Sequence, residues 1–139
     1  MGKVTTVATI ENFGDVWNAT QGLVAPEAVR RVEVPDALVD TGASLLSLPT
    51  TLIQQLGLVC RQTRQVIGSA GPRTTRLFSA VQLTIQDRSC VVDVLEVPDG
   101  VPTLIGQIPL ENLDFVVDLS GQRLIGNPAH GGEHVLELY

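Results

Sequence analysis

Between Arg76 and Val97 apolar and polar side chains follow a period of two, and this alternation limits the chain more than any other feature. Leu77, Val81, Leu83 and Ile85 fall at odd positions, with Arg76, Gln82, Thr84 and Gln86 between them. Only a strand puts residues two apart on one face; a helix would scatter these side chains around its axis. Asp87-Arg88-Ser89 is the predicted turn into a second strand, Cys90 to Val97, giving a long hairpin. The same reading extends along the chain. Val4, Val7 and Ile10 mark a first strand, residues 11–28 are irregular, and Arg30 to Val34 alternates before a turn at Pro35-Asp36. Ala37-Leu38-Val39 is a short run suited to burial on both faces. Phe115 to Asp118 and Gln122 to Ile125 form a last hairpin across Ser120-Gly121.

Helical signals are few. Ser47 and Pro49 are start signals, Leu52, Ile53 and Leu56 share a face, and Gly57 is a stop. A single turn is expected at Pro109 to Leu113. Many strands, tight turns and few helices point to an all-β barrel or sandwich.

Composition narrows the class. The chain has 139 residues, 44% hydrophobic and 17% charged, which suits one globular domain with its own core. Aromatic residues are only 4%, so aliphatic side chains must fill that core. A net charge of −6 argues against nucleic acid as the main partner. No stretch is long and apolar enough for a membrane span, and Met1 to Ile10 is too polar for a secretory signal, so a soluble cytoplasmic protein is expected. Cys60 and Cys90 lack metal-ligand spacing and are expected to be buried free thiols. His130 and His134 are four residues apart, but Gly131-Gly132 would break a helix carrying them, so no metal or other cofactor is expected. Trp17 is expected to be a packing anchor. Ser44 and Ser47 have no base histidine nearby in sequence, which leaves a serine hydrolase unsupported.

The segment that carries chemistry is Leu38-Val39-Asp40-Thr41-Gly42-Ala43-Ser44. Apolar residues deliver a carboxylate to a strand end, and a hydroxyl and a glycine follow at once. Burial disfavours a charged carboxylate, and two carboxylates brought together share one proton. One can then take a proton from water while the other donates to a substrate carbonyl. Alone, the tripeptide also fits a turn in which an aspartate caps backbone donors.

This segment resembles the Asp-Thr-Gly signature of retropepsin-like aspartic proteases, particularly small single-domain bacterial members. A second element, Thr103-Leu104-Ile105-Gly106, looks like the family's apolar-apolar-Gly motif ahead of a short helix, which packs behind the catalytic loop. The resemblance runs from about Arg30 to Pro128. It implies a closed β-barrel with one or two short helices, assembled as a two-fold homodimer, with residues 1–29 as an N-terminal extension packing on the domain, 30–128 as the domain and 129–139 as a tail.

It further implies that Asp40, Thr41 and Gly42 are catalytic, with Thr41 binding the backbone of its symmetry mate. Val66 to Gly71 sits where the family's flap lies, which assigns Ile67, Gly68, Ser69, Ala70 and Gly71 to substrate. Leu38, Pro102 and Leu104 fall where pockets are walled, and Gly42, Ala43 and Ser44 where the substrate is held. Retroviral members pair an Asp two residues after the signature glycine with an Arg after the second motif's glycine; Ser44 and Gln107 stand there instead, so both charges are absent together. Asp118-Leu119-Ser120-Gly121 is the nearest imitation of a second signature, broken by Leu119. One signature per chain therefore implies two chains, and the partners expected are a second copy and a peptide or protein substrate. The same fold could instead form a dimeric peptide-binding module that does not cut. Arg61, Arg64, Arg73 and Arg76 cluster around the flap segment, as a solvated face or as a preference for acidic peptides.

Overall fold

The computed structural model describes residues 3–68 and 70–137. Its backbone is mostly β. The strands are β1 (Thr5–Asn12), β2 (Arg31–Val39), β3 (Leu46–Pro49), β4 (Val59–Gly68), β5 (Gly71–Ile85), β6 (Arg88–Val97), β7 (Leu104–Ile105), β8 (Phe115–Asp118) and β9 (Arg123–Gly126). The α-helices are α1 (Phe13–Thr20), α2 (Thr50–Leu56) and α3 (Gln107–Asn112). One sheet runs β1-β2-β7-β3-β6-β5-β4, and β1 also pairs with β5. Six strands thus return on themselves, while β4 extends outward, held by β5. β8 and β9 form a separate hairpin.

Aliphatic side chains fill the ring. Ile10, Leu46, Leu48, Leu83, Val94 and Ile105 are fully buried, and among the described residues Phe78 and Phe115 are the aromatic members of the core cluster. Val81, Leu83 and Ile85 face it, as their period requires. Leu77 is buried outside this cluster, because one extra residue of β5 between Phe78 and Val81 shifts the register and puts Phe78 on the core face instead. β1 belongs to this core: it pairs antiparallel with both β2 and β5 and so completes the sheet.

Several local expectations need correction. Pro35-Asp36 does not turn the chain, because β2 runs through it. Register shifts between the pairs Thr6–Ala37 and Ala8–Val34, which gives β2 one extra residue in a bulge. A bulge frees a residue from the ladder, so proline's missing N–H costs nothing there. The spacing of buried Val34 and Ala37 is three for the same reason. Ser47 does not begin a helix: Leu46, Ser47 and Leu48 are all buried in β3, between β6 and β7, and burial on both faces erases alternation. The β5–β6 turn falls at Gln86 (φ 49°) and Asp87 (φ 67°), one residue earlier than expected. Residues 11–28 are not wholly irregular, since they contain α1. That helix buries none of its residues, so it leaves no apolar stripe in the sequence. Its cap holds it: Asn12 accepts from Asp15 N (3.0 Å) and donates to Leu56 O (2.8 Å), joining α1 to the end of α2. Trp17, expected as an anchor, is 54% exposed and meets Phe13 at 6.4 Å between ring centres.

Cys60 is exposed, contrary to expectation, whereas Cys90 is half-buried against the core and burial pushes its thiol up to about 11. Among the described residues no helix is long and apolar enough to cross a membrane.

The C-terminal tail is tied down by a buried acid. Asp114 accepts from Val135 N (3.0 Å) and Asn127 Nδ2 (3.3 Å) and faces His130 Nδ1 at 2.7 Å, while His130 Nε2 meets Glu137 at 2.9 Å. Burial acts to raise the Asp114 pKa, but the hydrogen bonds from His130, Val135 and Asn127 together outweigh it and hold the carboxyl below 3.8. Bonds to Glu137 and then Asp114 raise His130 above 6.5. The histidine's contribution is therefore full below pH 6.5 and lost as pH rises through its elevated value. The acid's contribution is full above 3.8 and lost as pH falls through its depressed one. Tail docking is expected to be strongest between these limits. Amide exchange at Val135, normalised for intrinsic rate, should be slowest in that window and faster above it. A His130 that titrates at or below 6.5 by NMR would contradict this.

Candidate active site

The end of β2 is pinned from both sides. Leu38 N bonds Thr103 O (2.9 Å), Val39 N bonds Val4 O (2.9 Å) and Asp40 N bonds Ile105 O (3.0 Å). The carboxylate therefore leaves a strand end whose backbone donors are satisfied. Gly42 N donates to Asp40 Oδ1 (3.0 Å) and Ala43 N to Asp40 O (3.1 Å), so the loop closes on the acid itself. Asp40 is half-exposed, and Thr41 and Gly42 are exposed. The burial expected for this carboxylate is thus incomplete within one chain.

The second motif packs directly behind this loop. Gly106 N bonds Leu45 O (3.0 Å), Gln107 N bonds Ala43 O (2.8 Å) and Ile108 N bonds Ser44 O (2.9 Å). The first turn of α3 spends its free N–H groups on three successive loop carbonyls, which satisfies both partners. A Cβ at Gly106 would lie 2.6 Å from Leu45 O, 2.6 Å from Ser44 C and 2.7 Å from Ala43 O, so this approach requires glycine. The Gln107 side chain turns to Glu111 (3.1 Å). Backbone bonds join loop and helix with no ion pair between positions 44 and 107.

Two grooves flank the loop. One, of about 460 Å³, is lined by Gly42, Ala43 and Ser44 from the loop and by Val66 and Ile67 from the β4–β5 hairpin, together with Leu45, Arg64 and Leu95. The other, of about 410 Å³, is lined by Leu38, Asp40 and Thr41 with Lys3, Val4, Val117 and Leu119. A smaller recess brings Leu104 together with Ile67 and Gly68. Gly68 pairs with Gly71 at the end of the hairpin, and Ile67 beside this pair is 87% exposed. Pro102, Ala70 and Gly71 line none of these three spaces, and Ser69 falls outside the described residues. Leu95, Val117 and Leu119 line these grooves without any distinguishing functional signal in the sequence. Leu95 looks like any strand residue, and Leu119 stands out only as a large apolar side chain at a turn, 82% exposed.

A carboxylate on a loop locked by a glycine-headed helix, with a groove on either side of the loop and a hairpin bordering one of them, defines a mostly β protein of the acid-protease class. Residues 28–118, well over half of the chain, match the family described as Aspartyl protease. The chain belongs to this aspartyl protease family of the retropepsin-like clan. No curated protein matches the sequence.

Proposed function

We propose that the protein is an aspartic endopeptidase in which two copies of Asp40, one from each subunit of a homodimer, activate a water between them. The observation that carries this reading is the state of Asp40. Its Oδ1 is oriented by Gly42 N–H and the group lines one groove, while Gly42, Ala43 and Ser44 of the same loop line a second groove bordered by the β4–β5 hairpin. The six-stranded ring is read as the closed barrel of this clan.

In the reaction one carboxylate takes a proton from the water as its oxygen attacks the peptide carbon. The other gives its proton to the carbonyl oxygen. In the collapse the first carboxyl gives the proton it took from water to the amide nitrogen, the second takes a proton back from a hydroxyl of the tetrahedral species, and the C–N bond breaks. Both acids return to their starting state and no covalent enzyme intermediate forms. The substrate lies extended, with strand-like hydrogen bonds beneath the β4–β5 tips. Thr41 and Gly42 hold the paired loops, and Leu38, Ala43, Ser44, Ile67 and Leu104 contact the peptide.

The second acid comes from the partner, since the sequence holds one Asp-Thr-Gly. Exposed Leu119 beside Asp40 supports an apolar contact around a two-fold axis. Digestion of a peptide library by the wild type and by Asp40→Asn tests the reading. Cleavage products present with the first and absent with the second are expected; identical digests would overturn it.

A further inference from the structure

The β4–β5 hairpin carries Arg61, Arg64, Arg73 and Arg76, in a protein with nine basic residues and a net charge of −6. The structure divides these four into two pairs. Arg76 is held by Glu96, with Nε–Oε1 and Nη2–Oε2 both 2.7 Å, and Arg61 bonds Asp93 at 3.2 Å. Arg64 and Arg73 have no carboxylate partner among the described residues.

The free pair is also the pair that reaches the cleft. Arg64 lines the groove shared with Gly42, Ala43 and Ser44, and Arg73 lines the recess shared with Leu104, Gly68 and Ile67. Strand register puts them on one face of the hairpin: Arg64 pairs with Thr75 and Val66 with Arg73, and residues 64 and 66 share a side. Glu96 also borders the recess at Arg73, but its two oxygens are already committed to Arg76. Two uncompensated guanidinium groups thus overlook a cleft on an otherwise acidic molecule. Each presents a fork of donors suited to a carboxylate.

We propose that Arg64 and Arg73 are specificity-determining residues that select peptide substrates bearing acidic side chains near the scissile bond. This deepens the endopeptidase reading and rests on it for the identity of the cleft.

The test walks one Glu through an otherwise neutral peptide, each version paired with its Gln counterpart, and measures kcat/KM at low salt. At one or more positions Glu is expected to be favoured about tenfold, falling to about twofold near 0.5 M salt as the charges are screened. Arg64→Gln with Arg73→Gln should bring the ratio close to one, whereas Arg61→Gln, whose guanidinium is already paired, should keep it. Charge reversal at 64 and 73 should transfer the preference to Lys peptides. A wild-type ratio near one at every position, or a ratio that survives in the double variant, would overturn the inference. Anisotropy of the same labelled peptides on Asp40→Asn separates the two readings. Glu-selective binding without cleavage by the wild type would remove the protease and keep the charge selection. Cleavage without selectivity would do the reverse.

Discussion

Asp40→Asn is expected to lower kcat/KM for peptide cleavage by about 10³-fold or more while leaving the fold in place. The substitution is nearly isosteric, and an amide oxygen can still accept from Gly42 N, so the bond that shapes the loop survives. Thr103, Val4 and Ile105 continue to fix the strand end through backbone alone. In the proposed mechanism what disappears is the capacity to take and return a proton, a loss of about 10² to 10⁴ for one acid–base group, and in the proposed homodimer both subunits suffer it. Unfolding by urea should change by less than about 1 kcal/mol, as for a conservative change at a half-exposed site. Turnover that persists in the variant would place the chemistry elsewhere.

Gly106→Ala is expected to act through geometry. Residue 106 has φ −87° and ψ −175°, which alanine adopts freely, so conformational strain plays no part. The cost is steric. The new methyl would meet Leu45 O, Ser44 C and Ala43 O at 2.6–2.7 Å, and all three are backbone atoms that cannot rotate aside. Loop and α3 must separate, and the bonds from Gly106, Gln107 and Ile108 lengthen together. A loss of about 3 kcal/mol follows from overpacking and weakened bonds. Activity should fall by about 10²-fold or more, because a displacement near 1 Å is enough to misplace an acid. Gly68→Ala is the matching control for stability: a Cβ there meets nothing within 4 Å, so the change should stay within about 0.5 kcal/mol. Wild-type stability and activity in Gly106→Ala would show that the second motif does not hold the loop.

Legibility in the sequence followed the physics of each element. Half-buried strands could be read because one face meets water: Val81 to Ile85 announced itself by alternation, whereas the bulge between Phe78 and Val81 broke the period at Leu77 and left no mark in the sequence. β3 could not, since Leu46, Ser47 and Leu48 are all enclosed and no polar side is left to mark the period. α1 was hidden for the opposite reason, burying no residue at all and resting on the Asn12 cap and the Asp15–Arg30 pair at 2.8 Å. Pro35 misled because its usual role as a turn signal is absorbed by a bulge visible only in strand register. At the candidate site, Asp40 and Gly106 stood out because each lies in a short motif, and at Gly106 the close backbone approach gives the steric reason for glycine. The groove walls at Leu95, Val117 and Leu119 were not, because any apolar residue could stand there and only the folded chain gathers them. The division of the four arginines into paired and free members likewise depends on where Asp93 and Glu96 fall in β6.

The central claim is that each active centre draws one Asp40 from each of two chains, and subunit mixing measures this directly. Wild type is equilibrated with a fourfold excess of Asp40→Asn, and activity is expressed per wild-type chain. If two acids are required and subunits exchange at random, that activity should drop to about one fifth, because most wild-type chains then sit beside an inert partner. Activity per wild-type chain that stays constant at every mixing ratio, with exchange verified by mass, would mean that a single Asp40 suffices.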